Sequence, residues 1–153
     1  MTKNPYKLKT WLKKFSMHKP FLITGAVSGA VAVILGAFGA HGLRRIVTDE
    51  QLIQSFQTGV QYQMYHSLAL IATAIVFSGF AGKKVKWAGI AFISGIILFS
   101  GSLYLITFLK IQESNLVRFF GPFTPLVGIL FIAGWALLAW GIAGKRIIAE
   151  VRE

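Results

Sequence analysis

Two imidazoles and a phenol are the groups in this chain best suited to chemistry. His41 closes one apolar run, His66 opens a second, and Tyr104 lies near the end of a third. Gln61, Gln63, Ser100, Ser102 and Thr124 stand near them at the same ends of those runs. Two neutral imidazoles are a ligand set for haem iron. His41 with Ser67, or His66 with Ser102, would make nucleophile pairs, yet neither has a nucleophile elbow or an orienting acid. The chain contains no cysteine, which removes thiolate catalysis, disulfides, Cys-based zinc sites and iron–sulfur clusters. His41, Gln63, His66, Ser102, Tyr104 and Thr124 therefore form a candidate polar cluster, structural or ligand-binding, with no catalytic, cofactor or metal residue assigned.

The elements that carry these groups are apolar. Of 153 residues, 55% are hydrophobic and 14% charged, and the mean hydropathy is +0.65. A soluble domain has about a quarter of its residues charged. Phe21–Ala40, Met64–Gly82, Trp87–Leu109 and Phe119–Gly144 hold no Asp, Glu, Lys or Arg at all. A helix needs about 20 apolar residues to cross roughly 30 Å of hydrocarbon, whereas strands rarely exceed about 10 residues. The expectation is an all-α membrane protein with four transmembrane helices, spanning about 21–41, 60–82, 87–109 and 124–144. A basic segment, 1–20, precedes this 21–144 domain and a short tail, 145–153, follows it. The first apolar run exceeds the roughly 7–15 residues of a signal-peptide core, so it reads as a retained span.

The charges sort by segment. Lys and Arg number 16 against 5 Asp and Glu, for a net charge of +11. Twelve of the basic residues fall in 1–20, in the 83–86 link and in the tail, and four fall in the other two links. The positive-inside rule then puts both termini in the cytoplasm. No soluble basic module exists to bind nucleic acid.

Several local signals complete this reading. Asn4 and Pro5 open a helix on which Leu8, Trp11, Leu12 and Phe15 share one face. Lys7, Lys9, Lys13 and Lys14 cover its other face, the pattern of an N-terminal amphipathic helix lying on anionic lipid. Thr48 and Gln51 make a capping box before Leu52, Phe56 and Val60, predicting a short amphipathic helix that leads into the second span with a bend at Gly59. Thr124 caps the fourth span with Pro125 behind it. In the first span, Gly25, Gly29, Ala32, Gly36 and Gly39 share a face that lets another helix approach closely, within the chain or between subunits.

On this topology the polar cluster occupies the non-cytoplasmic half of the bundle. Three readings follow: hydrogen bonds that hold helix ends together, a site for a lipid headgroup, quinone-like ligand or partner helix, and haem ligation by His41 and His66. The four spans contain no carboxylate, so they offer no Asp or Glu as general base or proton-coupling group. That argues against an enzyme and against a small proton-coupled transporter, and a channel would require an oligomer. The expected role is a non-enzymatic accessory or scaffold protein, packing with itself or with a larger membrane complex through its small-residue face. Binding of a lipid or quinone-like ligand at the polar cluster is the alternative.

Four motifs occur in order: GAFGAHGL at 36–43, TGVQYQMYHSLAL at 58–70, ILFSGSLY at 97–104 and TPLVGILFIAGW at 124–135. Together they resemble the domain-of-unknown-function family 423, which includes small bacterial inner-membrane proteins of the YgdD type and the animal transmembrane protein 256. The resemblance covers about residues 21–144, with Val127 standing where the family pattern has a second glycine. It implies a helical membrane fold and location in a bacterial cytoplasmic membrane. It brings no reaction and no cofactor, because the family has no established activity.

Overall fold

In the computed structural model, which describes residues 17–114 and 127–144, every regular element is a helix. They are α1 (Lys19–Ile46), α2 (Glu50–Phe80), α3 (Lys83–Ile111) and α4 (Ile129–Ala143). The first three are long and apolar enough to cross a membrane, and α4 is a shorter apolar helix. Ile34 and Ile132 are 67% and 69% exposed, while Ser67, Thr73 and Ser100 are fully buried. Apolar groups outside and hydroxyls inside suit a hydrocarbon solvent, where polar groups must find partners within the protein. The amphipathic helix with Lys7, Lys9, Lys13 and Lys14, the Thr124 cap and the 145–153 tail lie outside the described residues.

The helix ends follow from local chemistry. His18 caps α1, its Nδ1 accepting the Phe21 N–H at 3.4 Å, with Pro20 in the first turn. The cap of α2 is Asp49 rather than Thr48. Its Oδ1 accepts the N–H groups of Gln51 at 2.9 Å and Leu52 at 3.2 Å. A carboxylate is a charged acceptor at the positive end of the helix, so it displaces the neighbouring hydroxyl. From there α2 runs uninterrupted for 31 residues, so the expected amphipathic helix and second span are one element. Gly59 stays helical, serving as a close-approach point where an added Cβ would come within 3.0 Å of the Tyr104 ring.

Two five-residue π-turns interrupt otherwise α-helical hydrogen bonding. In α1 the Leu43 N–H reaches back to the Phe38 carbonyl, and in α3 the Gly101 N–H reaches back to Ile96. Such i→i+5 turns each accommodate one extra residue. The first extends α1 past the expected end at 41 to Ile46.

Small residues set the packing. α1 lies along α2, with Gly25 against Ser67 and Ile71, Gly36 against Val60 and Gly39 against Phe56. A Cβ on Gly25 would stand 2.9 Å from the Ser67 carbonyl oxygen and 2.8 Å from Ile71. Gly29 has more room, its nearest neighbour being Ser67 Cβ at 3.8 Å, and Ala32 is fully buried on the same stripe. The face expected to pack within the chain or between subunits is thus occupied within the chain. Between α3 and α4 the fit is reciprocal: the Phe131 ring covers Gly95, and the Phe92 ring covers Gly134. Ala69, Val85, Ala88 and Leu138 complete that core.

Candidate functional site

α2 presents two different polar groups less than a turn apart. Gln63 and Ser67, at i and i+4, lie on the flank facing α1 and α3. The Gln63 Nε2 donates to the Ser28 carbonyl at 2.9 Å, and its Oε1 accepts the Tyr104 hydroxyl at 2.8 Å. One amide therefore connects α1, α2 and α3. Ser67 donates its single hydroxyl hydrogen to the Gln63 carbonyl at 2.6 Å, leaving Ser28 as donor in the 2.8 Å contact between the two serine hydroxyls.

His66 faces the other way, toward α3 and α4. It is 5% exposed and its ring stacks on Phe131 with centroids 3.5 Å apart and an interplanar angle of 13°. Its Nδ1 lies 2.7 Å from the carbonyl of Tyr62. A carbonyl only accepts, so Nδ1 carries the hydrogen and Nε2, on the opposite ring edge, carries the lone pair. Phe92, Tyr62 and Trp135 stand 5.7, 5.8 and 6.4 Å from the His66 ring centroid. Tyr62, His66, Phe99, Phe131, Ile132 and Trp135 line a cavity of about 430 Å³.

The remaining candidates are dispersed. His41 is exposed, and its ring contacts only the Ala37 carbonyl of its own helix, at 3.3 Å. Because Gly39 lies against Phe56 and the two helices run antiparallel, His41 sits about twelve helix positions from His66, or roughly 18 Å along the axis. The glycine stripe fixes this register, and it places His66 sixteen residues into α2 rather than at its outer boundary. The two imidazoles therefore do not converge on one iron. Ser102 donates to the Phe99 carbonyl of its own helix at 2.8 Å. Neither imagined nucleophile pair forms, since Ser67 is engaged with Gln63 and Ser28. Among the described residues no three His, Asp or Glu side chains gather at one point.

Sequence reasoning missed Ser28 and Ser67 as members of the Gln63 network and the aromatic rings around His66. The four-residue spacing of Gln63 and Ser67 was a usable signal for the first. Nothing in the spacing of Phe92, Phe99, Phe131 and Trp135 marks the second, because those rings meet across helices. One further feature emerges on α1. Ala26, Ala30 and Ala37 lie on a second, exposed face about 120° round from the glycine stripe, with the exposed Val33 between Ala30 and Ala37.

Comparison with known proteins places these residues in a family. Residues 35–128 match the family model described as "Protein of unknown function (DUF423)". That interval contains His41, Gln63, His66, Ser102, Tyr104 and Thr124, while Ser28, Phe131 and Trp135 lie outside it. A UPF0382 membrane protein of Staphylococcus aureus is 42% identical over 120 residues, covering 78% of this chain and 92% of the relative. The UPF0382 membrane protein YwdK of Bacillus subtilis is 43% identical over 121 residues, covering 78% and 93%. A UPF0382 membrane protein of Schizosaccharomyces pombe is 39% identical over 115 residues, covering 74% and 92%. No solved structure matches the chain.

Proposed function

This chain belongs to the DUF423 family of membrane proteins of unknown function, and from that premise we propose a non-enzymatic accessory role in the bacterial cytoplasmic membrane. The chain crosses the bilayer four times with both termini in the cytoplasm. Support comes from the twelve-to-four division of basic residues and the apolar character of α4 together with the residues before it. At the cytoplasmic end, the Lys84 ammonium lies 3.6 Å from the centroid of the Trp140 ring, an arrangement suited to a membrane boundary. At the other end Asp49 and Glu50 lie beside Lys110 and Arg44. The basic N-terminal segment rests on anionic lipid through Lys7, Lys9, Lys13 and Lys14.

The observation that carries the accessory role is the outward face bearing Ala26, Ala30 and Ala37. The glycine stripe is used up against α2, yet α1 keeps a second exposed face on which alanines at 26, 30 and 37 flank Val33 and leave shallow positions for a neighbouring helix. The partner is a second copy of this chain or a helix of a larger membrane complex. Ala30→Trp tests this, because the exposed site leaves the fold intact. Wild type is expected to migrate as an assembly on native gels or to retain co-purifying proteins, and the variant to lose both with an unchanged melting temperature. An assembly that survives this substitution would remove the reading.

A further inference from the structure

We propose that the chamber beside His66 binds a membrane-soluble ring compound bearing a hydroxyl donor, of the hydroquinone class with an apolar tail. The inference stands apart from the accessory role, since the chamber lies between α2, α3 and α4 and involves no part of α1.

The cavity is a cleft open along one side, and its volume of about 430 Å³ falls within the roughly 300–1,000 Å³ typical of small-molecule sites. Its walls are aromatic: Tyr62 and Phe99 stand 4.8 Å apart between centroids, and Phe99 and Phe131 stand 5.6 Å apart. A planar ring entering this space finds faces and edges to stack against. Two polar handles meet it. With Nδ1 held by the Tyr62 carbonyl, the Nε2 of His66 has no hydrogen-bond partner among the described residues, although the side chain is 95% buried. The Tyr62 hydroxyl likewise has none among the described residues. Nε2 is not itself sealed off, so it is free to accept from a hydroxyl in the cavity, and in an apolar surrounding such a bond is favourable.

The lining also selects the ligand class. Among the described residues no Lys or Arg lines the chamber, so a phosphate headgroup finds no cation to pair with among them. An uncharged ring hydroxyl needs only the imidazole lone pair. Ile129 and Ile132, 58% and 69% exposed, lie at the rim, where an apolar tail passes into the surrounding hydrocarbon. Phe99 belongs to the Ile96–Ser100 π-turn, and such turns occur frequently at functional sites. The proposed event is binding alone, with no bond made or broken in the ring.

The test uses the full chain purified in mild detergent, with decylhydroquinone under reducing conditions and its dimethyl ether as probes. Binding is followed by calorimetry and by quenching of tryptophan fluorescence. Wild type is expected to bind decylhydroquinone saturably and the ether about tenfold more weakly, the effect of roughly one hydrogen bond. His66→Phe keeps the stacked ring but removes Nε2, so it should bind the hydroquinone only as weakly as wild type binds the ether. Ile132→Trp, at an exposed position on the rim, should abolish binding of both probes without altering the fold. Absence of saturable binding to wild type overturns the proposal, as does equal affinity for the two probes. Undiminished hydroquinone affinity in His66→Phe overturns it too. Should that variant fail to fold, undiminished affinity in Ile132→Trp decides the same question.

Discussion

Gln63 and His66 are three residues apart on one helix, and each brings polarity into an apolar interior, yet their surroundings treat them oppositely. Both ends of the Gln63 amide are paired, one with α1 through the Ser28 carbonyl and one with α3 through the Tyr104 hydroxyl. His66 is surrounded by rings, its one hydrogen bond runs to its own helix, and its other nitrogen has no partner among the described residues. The difference separates two uses of a buried polar side chain. A residue whose capacity is consumed by neighbouring helices specifies how those helices meet. One left with unspent capacity beside a cavity is positioned to recognise something else.

The comparison can be broken or sharpened by substitution, with unfolding in detergent as the common measurement. The largest effect is expected at the close approach that supports the Gln63 network. Gly25→Leu forces a side chain into the Ser67 carbonyl and should cost about 3 kcal/mol, while Gly29→Ala, with 3.8 Å of clearance, should be near neutral. A tolerated leucine at 25 would show that α1 does not pack as described.

Next comes the network itself. Gln63→Leu removes two interhelical hydrogen bonds and should cost about 2 kcal/mol, with Tyr104→Phe costing about 1 kcal/mol. In a double-mutant cycle the pair should show coupling of about 1 kcal/mol, and strict additivity would count against a direct bond.

The smallest effects belong to the imidazoles. His66→Phe preserves the stack on Phe131, and His41→Ala removes only an exposed contact, so each should stay within about 0.5 kcal/mol of wild type. If His66→Phe proved as costly as Gln63→Leu, the distinction between a structural amide and a receptive imidazole would collapse.

The apolar spans were legible in the sequence because hydrophobicity and the absence of charge are properties of a linear stretch. Gln63 and Tyr104, which depth alone put near each other in neighbouring spans, share a hydrogen bond. His41 was misplaced by the same reasoning. Depth counted from the ends of charge-free runs treats His41 and His66 as level, whereas the register of α1 on α2 depends on which side chain each glycine meets. Asp49 displacing Thr48 as a cap is a smaller instance, a competition between adjacent acceptors that spacing alone does not resolve. The reciprocal Phe–Gly contacts of α3 and α4 were hidden for a third reason. Gly95 and Gly134 look like ordinary small residues until the facing ring is known.

The π-turn in α3 has a consequence for phase. An α-helix advances 100° per residue, so one additional residue in the turn rotates everything beyond it by about that angle. Lys83–Gly95, before the turn, lies chiefly against α4, and Gly101–Ile111, after it, lies against α2. Deleting a single residue between 96 and 100 would swing Tyr104 away from Gln63 while leaving the chemical character of the span almost unchanged. The bond that joins three helices thus depends on how many residues precede it as much as on which residues form it.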